Sequence, residues 1–435
     1  MKKPKKNYWE ERSRMSNIPK LRFPEFSGEW EEKNFYEVFD ILQNNTFSRD
    51  QLNNENGIVR NIHYGDVLIK YGDYIDCQKE KLPFINLENN LSKYEDTSYV
   101  KNGDIIIADT AEDYTAGKVT EICNVKDYKI LSGLHTFLCR TKFEFASKFL
   151  GYKLNSGSYH NQIAPLVAGT KVYSINRKAI GETTITYPSK AEQQKIADFL
   201  SNVDSIITAE TKILNTLQKK KKALMQKLFT RQLRFKSADG TNFPAWEEKC
   251  IDEIAECIAG ATPDTKKNEY WENGTIPWMS SGEVNKKYVY ETDRTITQLG
   301  YKKCSTKMIP VNTVVIALAG QGKTRGTVAL TKIELCTNQS LCAITNKSEY
   351  NSEYLFHYLS SQYQELRKIS SGGDASRGGL NLKLVGSYRV PLPCLAEQQK
   401  IADCLSSIDS LIQTQQKVVT TWQQRKKALL QQMFV

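Results

Sequence analysis

A stretch of 39 residues occurs twice in this chain and constrains its fold more than any other feature. Residues 191–229 and 396–434 align without a gap at an offset of 205, and 22 of the 39 positions are identical. Two copies are too few for a solenoid, in which many repeats stack on one another. The repeat therefore indicates one duplicated unit, with a pseudo-twofold relation between the halves.

Each copy has the pattern of one long helix in a coiled coil. Its apolar residues recur at alternating intervals of four and three, which produces a narrow seam for a partner helix. The seam residues are Ile196, Leu200, Val203, Ile207, Leu214, Leu217, Leu224 and Leu228, and then Ile401, Leu405, Ile408, Ile412, Val419, Trp422, Leu429 and Met433. Polar residues interrupt the series at matching positions, namely Glu210 and Lys221 in the first copy and Gln415 and Lys426 in the second. We predict that the helices form an antiparallel pair; the alternative is that each buries its stripe in its own lobe.

The start of the first helix is marked by its own signals. Pro188 ends the preceding segment, and Ser189 with Glu192 forms a capping box. The second helix has Pro393 before it but a weaker cap, because Cys394 replaces the serine.

A second, shorter repeat opens each half of the chain. Residues 21–32 and 233–248 share the letters LRF and a WEE ending, and both are aromatic and rich in turn-forming residues. We expect each segment to pack where a lobe meets a helix; a role as a binding loop is the alternative.

The lobes between these repeats differ in sequence but share a plan. Short β-like runs at 66–69, 103–108 and 314–318 are predicted strands, and short helices are predicted at 147–154 and 352–359. The predicted fold class is α+β, with two duplicated lobes joined by two long helices that form an antiparallel coiled coil. The predicted segments are a basic leader at 1–20, a lobe at 21–187, a helix at 188–232, a lobe at 233–392 and a helix at 393–435.

The composition indicates the kind of partner and the cellular compartment. The net charge of +11 and the pI of about 8.9 favour an anionic partner. Ten cysteines without a CxxC motif and four histidines fit neither zinc fingers nor a disulfide scaffold, so we expect reduced cysteines. The sequence has neither a signal peptide nor a long apolar run, which predicts a cytoplasmic protein with no membrane span.

Three motifs that could carry catalysis fail on closer reading. Residues 317–324, ALAGQGKT, resemble a phosphate-binding loop, but Ala317 replaces its first glycine and the following RGTVAL has the pattern of a strand. Pro263-Asp264 lacks the ExK of a nuclease site, and the four histidines are too dispersed for a metal site. We therefore predict no catalytic residue, no metal site and no enzymatic activity in this chain.

Polar and basic side chains on flexible loops are the predicted nucleic-acid contacts. The glycine-rich loops at 168–176 and 372–381 and the hairpin after residue 320 carry donors and a stacking ring that can approach phosphates or base edges. The candidates are Lys118, His135, Thr170, Lys171, Tyr173, Lys323, Arg325, Ser376 and Arg377. The alternative is that these are ordinary solvated loops.

The repeated AEQQKIAD helix after a YP or PLP strand, the LRFPEF and GEWEE opening, and the lobe–helix–lobe–helix order resemble the specificity (S) subunit of type I restriction-modification systems. The resemblance covers nearly the whole chain beyond residue 20. It implies a non-catalytic subunit in which each lobe, a target-recognition domain, reads one half of a bipartite asymmetric double-stranded DNA sequence.

The same resemblance implies the partners. The helices would space the lobes and dock two modification subunits, which methylate adenine with S-adenosylmethionine, and restriction subunits would join to translocate and cut DNA. S-adenosylmethionine, ATP and Mg²⁺ are expected on those subunits and no cofactor on this chain. Two alternatives stay open, a stand-alone DNA-processing enzyme and a coiled-coil scaffold that does not bind DNA.

Overall fold

The computed structural model describes residues 17–113, 115–169, 171–320, 322–369 and 379–435. The chain divides into two compact units, one comprising Met1–Thr211 and Val418–Val435 and the other Lys212–Lys417. Each unit holds one lobe together with part of both long helices, so the duplication seen in the sequence is also a structural one.

The first lobe is α+β. Its strands are β1 (Glu31–Asn34), β2 (Phe39–Leu42), β3 (Leu52–Asn53), β4 (Arg60–Ile62), β5 (Tyr74–Asp76), β6 (Phe84–Ile85), β7 (Ile105–Ala108), β8 (Thr110–Ala111), β9 (Val119–Cys123), β10 (Ile130–Ser132), β11 (Thr136–Thr141), β12 (Tyr173–Ser174) and β13 (Thr184–Tyr187). Its helices are α1 (Phe35–Val38), α2 (Tyr64–Ile69), α3 (Phe149–Leu154), α4 (Gly157–Ile163) and α5 (Arg177–Gly181). The first long helix, α6 (Lys190–Phe229), follows.

The second lobe repeats this architecture. Its strands are β14 (Glu247–Cys250), β15 (Ala255–Ala259), β16 (Ile276–Met279), β17 (Tyr288–Val289), β18 (Arg294–Ile296), β19 (Met308–Ile309), β20 (Val314–Ala317), β21 (Val328–Thr331), β22 (Leu335–Thr337), β23 (Leu341–Asn346) and β24 (Arg389–Leu392). Its helices are α7 (Ile251–Ile254), α8 (Gln298–Lys302), α9 (Ser352–Ser361), α10 (Tyr363–Ile369) and α11 (Leu382–Gly386). The second long helix, α12 (Leu395–Met433), follows.

Each lobe contains one five-stranded and one four-stranded sheet. A five-stranded sheet has the order β2-β11-β7-β9-β5 in the first lobe and β15-β23-β20-β21-β17 in the second. A four-stranded sheet has the order β10-β4-β6-β3 and β18-β16-β22-β19, with one parallel pair in each, β4 with β10 and β16 with β22. The five-stranded sheets therefore share a topology although the lobe interiors share little sequence. The four-stranded sheets differ, because the parallel pair lies at the edge of the sheet in the first lobe and in its middle in the second.

The two long helices run antiparallel within each unit. In the first unit, Ile196 and Leu200 near the start of α6 share an apolar core with Met433 near the end of α12. In the second, Leu228 near the end of α6 packs with Ile401 near the start of α12. The fold is thus the predicted one: two duplicated α+β lobes with two long helices in an antiparallel coiled coil.

Burial along α6 and α12 follows the seam. Each seam residue named above is buried or half-buried. Neighbouring apolar residues off the seam face solvent, as Ile213 at 48 % exposure and Leu411 at 56 % show.

The interruptions of the seam at Lys221 and Lys426 are filled by ion pairs. Lys221 Nζ lies 2.5 Å from Asp409 Oδ2, and Lys426 Nζ lies 2.5 Å from Asp204 Oδ1. The two pairs are equivalent, because both members of the second differ from those of the first by 205 positions.

The opening segments pack on the helix starts, as expected. Arg22 binds the buried carboxylate of Glu192 at 2.7 and 2.8 Å, and Arg234 binds that of Glu397 at 2.6 and 3.0 Å. The predicted capping box is thus half formed: the Glu192 N–H lies 3.5 Å from Ser189 Oγ, while the Glu192 carboxylate is held by Arg22.

One predicted element is wrong. Residues 66–69 were expected as a strand, but they form part of α2. The His63 side chain caps this helix by accepting from the Gly65 N–H at 3.1 Å. Val67 is buried whereas Ile69 is 89 % exposed. The apolar run therefore has one buried and one exposed face, as in a short helix. The other expected strands and helices are present, with α3 starting two residues later than predicted.

Candidate nucleic-acid interface

In the first lobe, the structure brings two of the predicted regions together. Strand β12 pairs with β8, so that Tyr173 lies opposite Ala111. Thr110 in β8 lies 3.4 Å, Oγ1 to Nδ1, from the exposed ring of His135. Lys171 is exposed just before β12. His135 and the loop with Lys171 and Tyr173 therefore form one polar surface.

Tyr64 at the start of α2, held beside the buried His63, extends this surface. The ring of Tyr64 meets that of His135 edge to face at 5.3 Å and lies 4.6 Å from that of His63. Burial, and then the positive charge of Arg49, lower the pKa of His63 below its ordinary value. His63 is therefore a neutral cap for the helix that carries Tyr64.

Lys118, another candidate contact, has partners within its own lobe. Its ammonium donates to the carbonyls of Leu68 and Tyr71 at 2.8 and 3.0 Å, at the C-terminal end of α2. Burial lowers the pKa of Lys118. The side chain thus caps the end of a helix within its own lobe, which uses two of its donors.

In the second lobe, the predicted hairpin joins β20 to β21. Lys323 is exposed in this turn, Arg325 is half-buried, and the hydroxyl of Tyr363 donates to the Lys323 carbonyl at 3.0 Å. In the described part of the hairpin, residues 322–331, turns lead into β21 and no helix follows. A phosphate-binding loop requires a helix there, so residues 317–324 do not form one.

Three of the candidate contacts, Thr170, Ser376 and Arg377, lie outside the described residues. Within the part of the chain that the structure describes, no group of three or more His, Cys, Asp and Glu side chains is placed to hold a metal ion. In those residues no helix is long and apolar enough to cross a membrane.

Two arginines that the sequence reasoning missed lie on the four-stranded sheets. Arg60 in β4 has its guanidinium 3.8 Å from the ring centre of Tyr128, and Arg294 in β18 lies 3.6 Å from that of Trp271. Each arginine is distant in the sequence from the ring on which it stacks. The sequence near each arginine therefore gives little indication of the stack.

Comparison with known proteins identifies the family. A model described as the type I restriction modification DNA specificity domain matches residues 27–219 and again 245–421. The chain belongs to this family of specificity subunits, whose role is DNA sequence recognition. The two matches coincide with the duplication, since each covers one lobe and most of the helix after it.

Individual relatives agree. The chain is 36 % identical over 196 residues to the type I restriction enzyme MjaIX specificity subunit of Methanocaldococcus jannaschii, a match that spans 43 % of this chain and less than half of that relative, 44 %. It is 24 % identical over 428 residues, 95 % of both chains, to the putative MjaX specificity subunit of the same organism. The S subunit structure from M. genitalium shares the fold, with a TM-score of 0.58 at 17 % identity over 96 % of this chain and 99 % of that one.

Proposed function

We propose that this specificity subunit is non-catalytic and that its two lobes read the two different halves of a bipartite DNA target. The observation that carries the proposal is the pair of lobes with the same five-stranded sheet and different interiors. One scaffold places recognition residues in the same way twice, and the divergent side chains on it read different bases. Such a target is asymmetric, with an unread spacer between its halves.

The long helices are proposed to dock two copies of one partner, the modification subunit. Many residues are identical at equivalent positions of α6 and α12. The shared seam explains the identical residues that are buried, but it does not explain those that are exposed. The exposed pairs are Ala191 and Ala396, Gln194 and Gln399, Asp198 and Asp403, Ser205 and Ser410, Lys212 and Lys417, Thr216 and Thr421, Gln218 and Gln423, Lys222 and Lys427, Ala223 and Ala428, and Gln226 and Gln431. Two equal surfaces fit two equal partners.

In this proposal, the partner subunits bind the cofactors. S-adenosylmethionine would be bound by the modification subunits, and ATP and Mg²⁺ by restriction subunits that join the complex. This chain would contribute recognition and geometry, and its sequence lacks a complete phosphate-binding loop and a complete nuclease motif.

The test is to map methylated adenines in cells that carry the modification subunit with and without this gene. The proposal predicts a motif with two different halves and a fixed spacer that appears with the gene and disappears without it. A control gene lacking residues 249–392 should not restore that motif. Methylation that does not depend on the gene, or a single continuous motif, would contradict the proposal, and turnover of DNA by the purified chain alone would favour the enzyme alternative.

A further inference from the structure

In the first lobe, one guanidinium stacks on two aromatic rings. Arg60 lies directly across from Phe84 in the pairing of β4 with β6. Its guanidinium stacks 3.8 Å from the ring centre of Tyr128, with the ring of Phe84 at 5.2 Å. All three side chains are half-buried, so part of the stack is accessible to solvent.

The second lobe has the same arrangement on the equivalent pair of strands. Arg294 in β18 lies directly across from Trp278 in β16. Its exposed guanidinium lies 3.6 Å from the ring centre of Trp271 and 5.7 Å from that of Trp278. The indole N–H groups of these rings donate to the carbonyls of Asp264 and Ala261, which holds the rings in place.

The two strand pairs correspond in the fold. Strand β4 is parallel to β10 and antiparallel to β6, just as β16 is parallel to β22 and antiparallel to β18. The arginine lies on β4 in the first lobe but on β18, the equivalent of β6, in the second. In both lobes it is paired with an aromatic residue on the neighbouring strand. Shared descent of a single residue does not account for this, whereas a shared requirement for a stacked guanidinium does.

The donors of both guanidinium groups are not used by any residue that the structure describes. Among the described residues, neither Arg60 nor Arg294 donates a side-chain hydrogen bond or forms an ion pair. Other lobe arginines are committed, as Arg49 is to Asp66 at 2.8 Å and Arg140 is to Asp104 at 2.7 Å. Stacking fixes the plane of a guanidinium and leaves its N–H groups free within that plane.

We propose that Arg60 and Arg294 each read one guanine, in the half-site of the first and the second lobe respectively. Two parallel N–H donors match the O6 and N7 acceptors that guanine presents in the major groove. A pre-oriented guanidinium loses less freedom on binding than a mobile lysine, which suits it to base reading rather than to general phosphate attraction. This inference rests on the proposed function and adds the residues and the base that they recognise.

The test uses the complex of the full chain with its modification subunits, acting on a plasmid library in which every position of both half-sites is randomised. Arg60→Ala should relax one guanine position in the first half-site by about 10- to 100-fold and leave the second half-site unchanged. Arg294→Ala should do the reverse. The lysine variants Arg60→Lys and Arg294→Lys keep the charge but lose the planar, stacked fork of two parallel donors, so they should relax the same positions. They decide the question if an alanine variant fails to fold.

Arg425→Ala is the matched control, because that exposed arginine also stacks on an aromatic ring, Trp422 at 5.1 Å, but lies on α12. It should leave both half-sites unchanged. Unaltered motifs in the Arg60 and Arg294 variants would overturn the proposal, and so would an equal loss at all sequences with a shallower salt dependence, which marks a phosphate contact. Failure of the proposed function is distinct, because the wild-type complex would then show no bipartite motif at all.

Discussion

Lys221 and Asp409 form an ion pair within the apolar seam of the second unit, with 2.5 Å between Nζ and Oδ2. Their side chains are 13 % and 6 % exposed, and the hydroxyl of Tyr288 donates to the same carboxylate at 3.0 Å. A buried charge without a partner is costly. The pair therefore disfavours any alignment of the helices that separates Lys221 from Asp409, and the equivalent pair in the first unit acts in the same way.

This pair predicts a non-additive effect on stability. Lys221→Met leaves Asp409 buried with a single donor, so it should lower the free energy of unfolding by about 3–5 kcal/mol. The double variant with Asp409→Leu should recover most of that loss. The control is Lys222→Met at an exposed position, which should change the free energy by less than about 0.5 kcal/mol. Denaturant unfolding measures all three, and equal effects of the two lysine variants would disprove the role of the pair.

His357 predicts a loss of stability in acid. Its ring is fully buried in the second unit, and burial, followed by the charge of Lys221, lowers its pKa to about 3 from an ordinary value of 6.5. Between these values the unfolded chain binds a proton that the folded unit does not, so stability falls as the pH falls. From about pH 7 to about pH 5 this amounts to about 2 kcal/mol.

The comparison that isolates this effect is His357→Gln, which cannot titrate. Denaturant unfolding at the two pH values should show the variant losing about 2 kcal/mol less than the wild-type chain. If both lose the same amount, another group is responsible for the acid sensitivity.

The long helices were predictable from sequence, whereas much of the interface was not. The seam lies along one continuous helix, so its periodic spacing can be recognised directly in the sequence. The α2 segment misled because a four-residue apolar run fits either a strand or a turn of helix until the His63 cap is seen. The stack of Arg60 on Tyr128 joins residues 68 positions apart, and only strand pairing brings them together.

The exposed identities of the helices predict how many partners bind. Ala223→Arg and Ala428→Arg each place a large side chain on one copy of the repeated surface, so each should remove one modification subunit from the complex. The double variant should remove both. Asn215→Arg is the control, since that position is exposed but differs between the copies. Native mass spectrometry gives the stoichiometry, and two bound subunits in the double variant would exclude this surface.

Replacement of three lysines by alanine should have two different effects. Lys171 and Lys323 are exposed, so alanine at either should weaken binding to all DNA sequences and reduce the salt slope by about one if each contacts a phosphate. Lys118→Ala should instead lower the melting temperature with no change in salt slope, because its ammonium caps α2. DNA binding titrated against salt separates the two classes, and a reduced slope for Lys118→Ala would show that its assignment to the interior is wrong.

The most direct test of the central claim, that each lobe reads DNA independently, is a methylome of a lobe exchange. Residues 249–392 are replaced by the corresponding lobe of a relative, while α6 and the seam of α12 are kept. We expect the half-site of the first lobe and the spacer to stay the same and the other half-site to change to that of the donor. A change in both half-sites at once, or in neither, would contradict the account.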